Sequence, residues 1–345
     1  MRAAELQGLV DATDDAGLLV AIDQLCGLQA WDELTDLAAR CDAAVELGRQ
    51  LWGVRQHIEY RLALEAPPAW AGAVVRPGAA RFALGPLTEV VAERFTWAEL
   101  APHLADPVAA PVVATERALR GEDLRDLPVA AETDLPPALA PFEPSAYPRP
   151  TYRDREARFP GPEAPAPTQA VRWPDAEVEA APTAPPDEAC AALVAAGEGW
   201  SGGDRDRGLS LRVARSATGE PAEAVAALAN GAAVHAAAMT TPQALAWLQW
   251  AAASGGARGP RRGGAAGRFL AWATLADVSG LGWDGTDATG LVEDLAAAAD
   301  ELTWWRWWRH DAPELGWVVR LALADPVDGE AYAVELVDPP LEDAR

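Results

Sequence analysis

Gly316-Trp-Val-Val-Arg-Leu-Ala-Leu-Ala324, Asp325-Pro-Val-Asp-Gly-Glu330 and Ala331-Tyr-Ala-Val-Glu-Leu-Val337 form the stretch on which the fold class turns. Two extended apolar runs flank a loop of Asp, Pro and Gly, the composition of a hairpin-type connection. Just upstream, Thr303–Arg309 (Thr-Trp-Trp-Arg-Trp-Trp-Arg) is a third extended segment. Leu209-Ser-Leu-Arg-Val-Ala-Arg215 alternates and predicts a strand, and Ala232–Ala236 predicts another. Helices are predicted at 187–197, at 219–229 with Thr218 as N-cap, at 264–278 and at 289–300. Thr241-Pro242 supplies an N-cap followed by Pro at N1 for an apolar helix through Trp247 and Trp250 to Ser254. Residues 187–345 therefore read as an α+β domain with a small, largely antiparallel sheet.

Residues 1–127 read instead as an all-α helical-hairpin domain. After Asp14-Asp15, residues Leu18, Leu19, Ile22, Leu25 and Cys26 recur at helical spacing, and Gly27 marks a break. Trp31, Leu34, Leu37, Ala38 and Cys41 make a second stripe, and a third runs from Val45 to Leu64 before Pro67-Pro68 stops it. Shorter helices follow at 85–93, 96–105 and 109–120, with Thr96 and Glu99 in capping-box positions. No 34- or 40-residue repeat is evident. Residues 128–186 separate the two domains and hold 15 of the 29 prolines. Aromatic residues are spaced through them, which predicts that the first half straps the surface and that 161–186 is a free linker.

The 345-residue chain carries 52 acidic side chains against 28 basic ones, a net charge of −24, and every basic residue is Arg. Without Lys, Schiff-base chemistry and the phosphate-binding P-loop are both excluded. The overall charge repels nucleic acid and anionic membrane surfaces. No run of 18 apolar residues occurs, and the N-terminus has the pattern of neither a signal nor a transit peptide. Cys26, Cys41 and Cys190 are odd in number and form no C-x-x-C pair, so a reducing cytoplasm is expected, with no disulfide framework and no metal site. The histidines (His57, His103, His235 and His310) have no zinc-ligand spacing. No serine sits in a nucleophile elbow, so the sequence singles out no catalytic residue, and no cofactor is expected.

The charge is not uniform. Between Glu223 and Asp277 lie 53 residues without an acidic side chain, where the chain average predicts about eight. Inside this window is Gly255-Gly-Ala-Arg258-Gly-Pro-Arg261-Arg262-Gly263-Gly264-Ala-Ala-Gly267-Arg268. Glycines let backbone amides approach a ligand, a following helix presents free N–H groups, and guanidinium forks match phosphate or carboxylate. Arg258, Arg261, Arg262 and Arg268, with Gly263 and Gly264, are thus the candidate anion site. The competing expectation is that these arginines meet the chain's own carboxylates, including those of the acidic tail from Asp325 through Asp338 to Asp343.

On the Trp-rich strand, Trp304, Arg306, Trp308 and His310 share one face, and Trp305, Trp307 and Arg309 the other. Trp304, Trp308 and His310 are the candidate aromatic surface, which with the Arg loop could stack on bases. Two aromatic faces on one strand point more strongly to burial on both sides.

The stretch Ala251–Trp272 resembles a segment of an uncharacterised protein family of high-GC actinobacteria. Ala79–Glu89, Thr96–His103 and Glu116–Asp123 resemble other parts of such a protein. The resemblance covers most of the chain outside the linker and implies no reaction. The leading functional expectation is a cytoplasmic, non-enzymatic protein-interaction or scaffold protein whose partner is another protein. A binding protein or enzyme for a nucleotide or phosphometabolite at residues 255–268 is the alternative, and nucleic-acid binding is the third reading.

Overall fold

The computed structural model describes residues 3–76, 79, 83–165, 171–172, 191, 193–195, 197, 200, 210–216, 218–230, 232–257, 259–309 and 317–338. They form an α+β protein with two compact units, one of residues 1–132 and 150–159, the other of 133–149 and 160–345.

The first unit is a succession of helices: α1 (Ala3–Ala12), α2 (Asp15–Gly27), α3 (Trp31–Glu46), α4 (Trp52–Glu65), α5 (Pro68–Ala73), α6 (Leu87–Arg94), α7 (Trp97–Leu100) and α8 (Ala109–Ala118). Asp14 caps α2 by accepting from the Gly17 amide at 2.9 Å, and α2 ends at Gly27 as its glycine predicts. Thr96 and Glu99 form the expected capping box on α7. The predicted third run, 45–64, is in fact cut. Helix α3 continues to Glu46, Gly48 turns the chain at φ +87°, and α4 starts at Trp52. Leucines on both sides of the cut kept the apolar period going, so the break was invisible to spacing alone. The apolar stripes of α1 to α4 share one core around Leu18, Ile22, Leu34, Leu37 and Ile58, and a second core joins α4 to α5, α6 and α8.

Residues 150–159 close this unit as a two-stranded ribbon, β1 (Thr151–Tyr152) against β2 (Ala157–Arg158). Tyr152 is buried there. Its hydroxyl donates to Glu89 at 2.5 Å, its amide donates to Glu93 at 3.0 Å, and Tyr60 donates to the Arg153 carbonyl at 2.5 Å.

The second unit is built on a six-stranded antiparallel sheet in the order β3-β5-β6-β7-β8-β4. The strands are β3 (Val171–Arg172), β4 (Ser210–Ser216), β5 (Val234–Met239), β6 (Thr303–Arg309), β7 (Trp317–Asp325) and β8 (Glu330–Asp338). The β7–β8 hairpin lies inside the sheet, with Asp325 turning the loop by accepting from the Val327 amide at 2.8 Å. Residues 171–172 pair with Ala236 and His235, so the stretch expected as free linker contributes an edge strand. Ladder hydrogen bonds, rather than side-chain pattern, hold so short a strand.

Helix α9 (Pro221–Ala229) covers one face of the sheet; α10 (Thr241–Ala253), α11 (Gly264–Val278) and α12 (Val292–Glu301) cover the other. Two predicted caps are displaced. Thr240, not Thr241, caps α10, in a box with Gln243, and α9 begins after Glu220 while Thr218 hydrogen-bonds the Glu223 carboxylate. In both places Pro stands at the helix start, where its missing N–H costs nothing. The predicted helix at 187–197 lies largely outside the described residues.

Candidate functional site

The Gly/Arg loop connects α10 to α11. Helix α10 ends at Ser254, whose hydroxyl accepts from the Gly256 amide at 2.9 Å. Gly256 turns at φ +66°, and a Cβ there would lie 2.6 Å from an Asp338 carboxylate oxygen and 3.1 Å from Trp200. Only glycine admits that approach. Asp338, buried at the end of β8, accepts from the Ala257 amide at 2.7 Å. The loop amide of Ala257 thus meets an anion, and that anion is one of the chain's own carboxylates. Other loop amides are engaged as well: Gly259 donates to Gly255, and Arg262 and Gly263 donate to the Ala253 carbonyl.

Arg268 points inward from the second turn of α11 and is fully buried. Its Nε and Nη2 donate to the two oxygens of Glu143 at 2.8 and 2.7 Å, a bidentate pair. Nη1 donates to the Pro136 carbonyl at 2.8 Å and Nη2 to that of Ala138 at 2.7 Å. Glu143 also accepts from the Tyr147 hydroxyl at 2.8 Å and the Ala140 amide at 2.7 Å. Burial pushes the Glu143 carboxyl up, but the charge and hydrogen bonds of Arg268 outweigh it and hold the group below its usual range. Burial, reinforced by Glu143, pushes the Tyr147 phenol well above its own.

The six candidate residues thus divide. Arg268 is an internal ion pair with no accessible surface, so its guanidinium cannot meet a ligand from solution. Gly263, at φ +99°, and Gly264 are buried at the start of α11 and shape the entry to that helix. Arg262 is exposed, Arg261 is half-buried and in contact with its surroundings, and Arg258 lies outside the described residues. The expectation that the chain's own carboxylates serve this loop included Asp338 in the acidic tail. It missed Glu143, which lies 125 residues from Arg268 in a Pro-rich stretch with no periodic signal to mark it.

The Trp-rich strand β6 is covered on both faces. Trp304 packs with α10–α12 and Trp307 with α9; both are buried, and Trp308 is half-buried. Arg306 is buried with its guanidinium 3.9 Å from the centre of the Trp247 ring. Trp304 is therefore no part of an aromatic surface, because the helix layer occupies the side on which a base would stack. His310 lies outside the described residues.

A surface cleft of about 400 Å³ lies where α10 starts and α12 ends, walled by Phe142, Met239, Pro242, Leu302 and Trp305. Its two threonines have internal work: Thr240 caps α10, and Thr241 donates to the Ala299 carbonyl at 2.7 Å. Burial raises the Cys26 and Cys41 thiols to about 11, so neither is a nucleophile near neutral pH. Among the described residues no group of three or more His, Cys, Asp or Glu side chains is placed to hold a metal ion, and no helix is long and apolar enough to cross a membrane.

No curated protein and no solved structure matches the chain. The model of a family of unknown function (DUF6183) matches residues 16–319, and the chain belongs to that family.

Proposed function

We propose that the protein is a cytoplasmic, non-enzymatic protein-interaction or scaffold protein, with the helical unit as its docking module and another protein as its partner. The observation that carries this reading is the distribution of exposed apolar side chains. Of the ten large hydrophobic residues exposed among those described, nine (Val327 is the other) lie between Leu19 and Leu127 in the helical unit. Leu28 and Leu47, 71% and 81% exposed, follow the ends of α2 and α3. Such residues gain nothing from folding and offer apolar area to a partner. The buried thiols and the internal use of the Gly/Arg loop add support by leaving little chemistry to perform.

The test compares wild type with the double variant L28S/L47S. Substitutions at such exposed sites shift stability by only about 0.5 kcal/mol. Affinity capture from the native host is expected to recover one stoichiometric protein with wild type and not with the variant. Equal recovery by both, together with turnover of a substrate by the purified protein, overturns the reading.

A further inference from the structure

Between Arg268 and Arg306 lie 37 residues with seven acidic side chains and no basic one. Helix α12 stands near the end of this stretch. It carries Glu293 and Asp294 in its first turn, where the helix dipole favours negative charge. It also carries Asp300 and Glu301 in its last turn, where the dipole opposes it, and no basic side chain stands there. That placement costs stability, and a cation beside Asp300 relieves it.

Asp300 lines the cleft at the start of α10 and the end of α12, and among the described lining residues it alone is charged. It is exposed and has no hydrogen-bond or ion-pair partner among the described residues. Other carboxylates of this unit are engaged: Glu143 accepts from Arg268, Glu335 from Arg320 and Asp338 from the Ala257 amide. The cleft's hydroxyls are engaged as well. Thr240 and Thr241 serve α10 and the Ala299 carbonyl, and Thr303 donates to the Ala324 carbonyl at 3.4 Å. Beside this single free charge the walls are apolar, with Phe142, Met239 and Leu302 all belonging to the core of the unit. A volume of about 400 Å³ is that of a small-molecule pocket, and Met and aromatic walls adapt to apolar bodies of varied shape.

We propose that this cleft binds a small organic cation, a protonated amine carried on an apolar body. The ammonium meets the Asp300 carboxylate at the end of α12, and the body lies against Phe142 and Met239. A cation gains both a charge-assisted hydrogen bond and the attraction of the helix's negative end, and a neutral or anionic ligand gains neither. The net charge of −24 draws every cation towards the molecule, but only the apolar walls select one that carries a body. The site stands independently of the protein-interaction reading.

The experiment follows the melting temperature of the full chain at neutral pH in 2-phenylethylammonium, 2-phenylethanol or methylammonium, at one ionic strength held with sodium chloride. The alcohol keeps the body without the charge, and methylammonium keeps the charge without the body. A saturable rise with phenylethylammonium alone is expected, since a ligand that binds only the native state stabilises it. D300N is expected to weaken apparent affinity about fivefold, the upper worth of a partly exposed ion pair. Without ligand it should melt no lower than wild type, because it removes a charge that the helix end opposes. D294N, in the first turn of the same helix, is expected to leave affinity unchanged. No saturable rise with phenylethylammonium overturns the proposal, as does an equal rise with either control compound. A rise that D300N leaves intact, or that D294N weakens as much, also overturns it, by leaving only the general attraction of an acidic surface. A D300N chain that melts below wild type shows that the carboxylate already serves a structural partner, and this too overturns the site.

Discussion

At the scale of single residues, the Arg268–Glu143 pair is the strongest commitment in the α+β unit. Both side chains are fully buried, and each has its remaining hydrogen-bonding capacity met by backbone groups or Tyr147. Replacing both by apolar residues costs far less than removing one, because a lone buried charge has no solvation to fall back on. E143Q is therefore expected to destabilise the protein by about 3–5 kcal/mol at neutral pH, read from urea unfolding. The pH dependence has a definite sign. Glu143 is held below its ordinary range in the folded state, so its contribution is complete above the unfolded value of about 4.3 and is lost as pH falls through the folded one. The gap between wild type and E143Q should thus narrow in acid, and a gap independent of pH down to the acid transition would contradict the assignment.

At the scale of elements, the contact between α10 and α11 explains why so many small residues gather there. A Cβ on Gly267 would lie 2.4 Å from the Gln249 carbonyl oxygen and 2.8 Å from the Ala253 side chain. The obstacle is backbone, which no rotamer change relieves. G267A gains about 1 kcal/mol of helix propensity and loses about 1–3 kcal/mol to overpacking, so net destabilisation is expected. G8A is the contrasting case. Gly8 is exposed in α1, nothing lies within 4 Å of an added Cβ, and about 0.5–1 kcal/mol of stabilisation should follow. Opposite signs in urea titration check the pair. Most elements were legible in the sequence because their signals are local: the β7–β8 hairpin, the Thr96 box and the start of α11. The cut between α3 and α4 was not, because Leu47 and Leu51 prolong the apolar rhythm across a turn. The candidate site was legible only in part. Glycines and arginines announced an anion site, but that Asp338 would meet the loop and Glu143 would pair with Arg268 is a tertiary fact.

At the scale of the whole molecule, the map of charge is a map of burial. The 53 residues without an acid comprise the last six of α9, then β5, α10, the Gly/Arg loop and most of α11. Ten of the thirteen residues of α10 and ten of the fifteen of α11 are buried, where an unpaired carboxylate would be stripped of water. All 52 acidic side chains therefore belong to the rest of the chain, and the acid-free stretch marks largely buried elements of the α+β unit. Each unit has its own apolar core, one around Leu18, Ile22 and Leu34, the other around Trp272, Leu321 and Trp304. Independent cores predict independent melting, the usual departure of multi-unit chains from two-state behaviour. Calorimetry of the full chain should show two transitions. Only four of the fifteen tryptophans belong to the helical unit, so tryptophan fluorescence should follow chiefly the other transition, while far-ultraviolet circular dichroism follows both. E143Q and G267A should lower the fluorescence-detected transition alone and leave the second calorimetric peak in place. A single peak at which all probes coincide, moved as a whole by either substitution, would show that the two cores unfold as one.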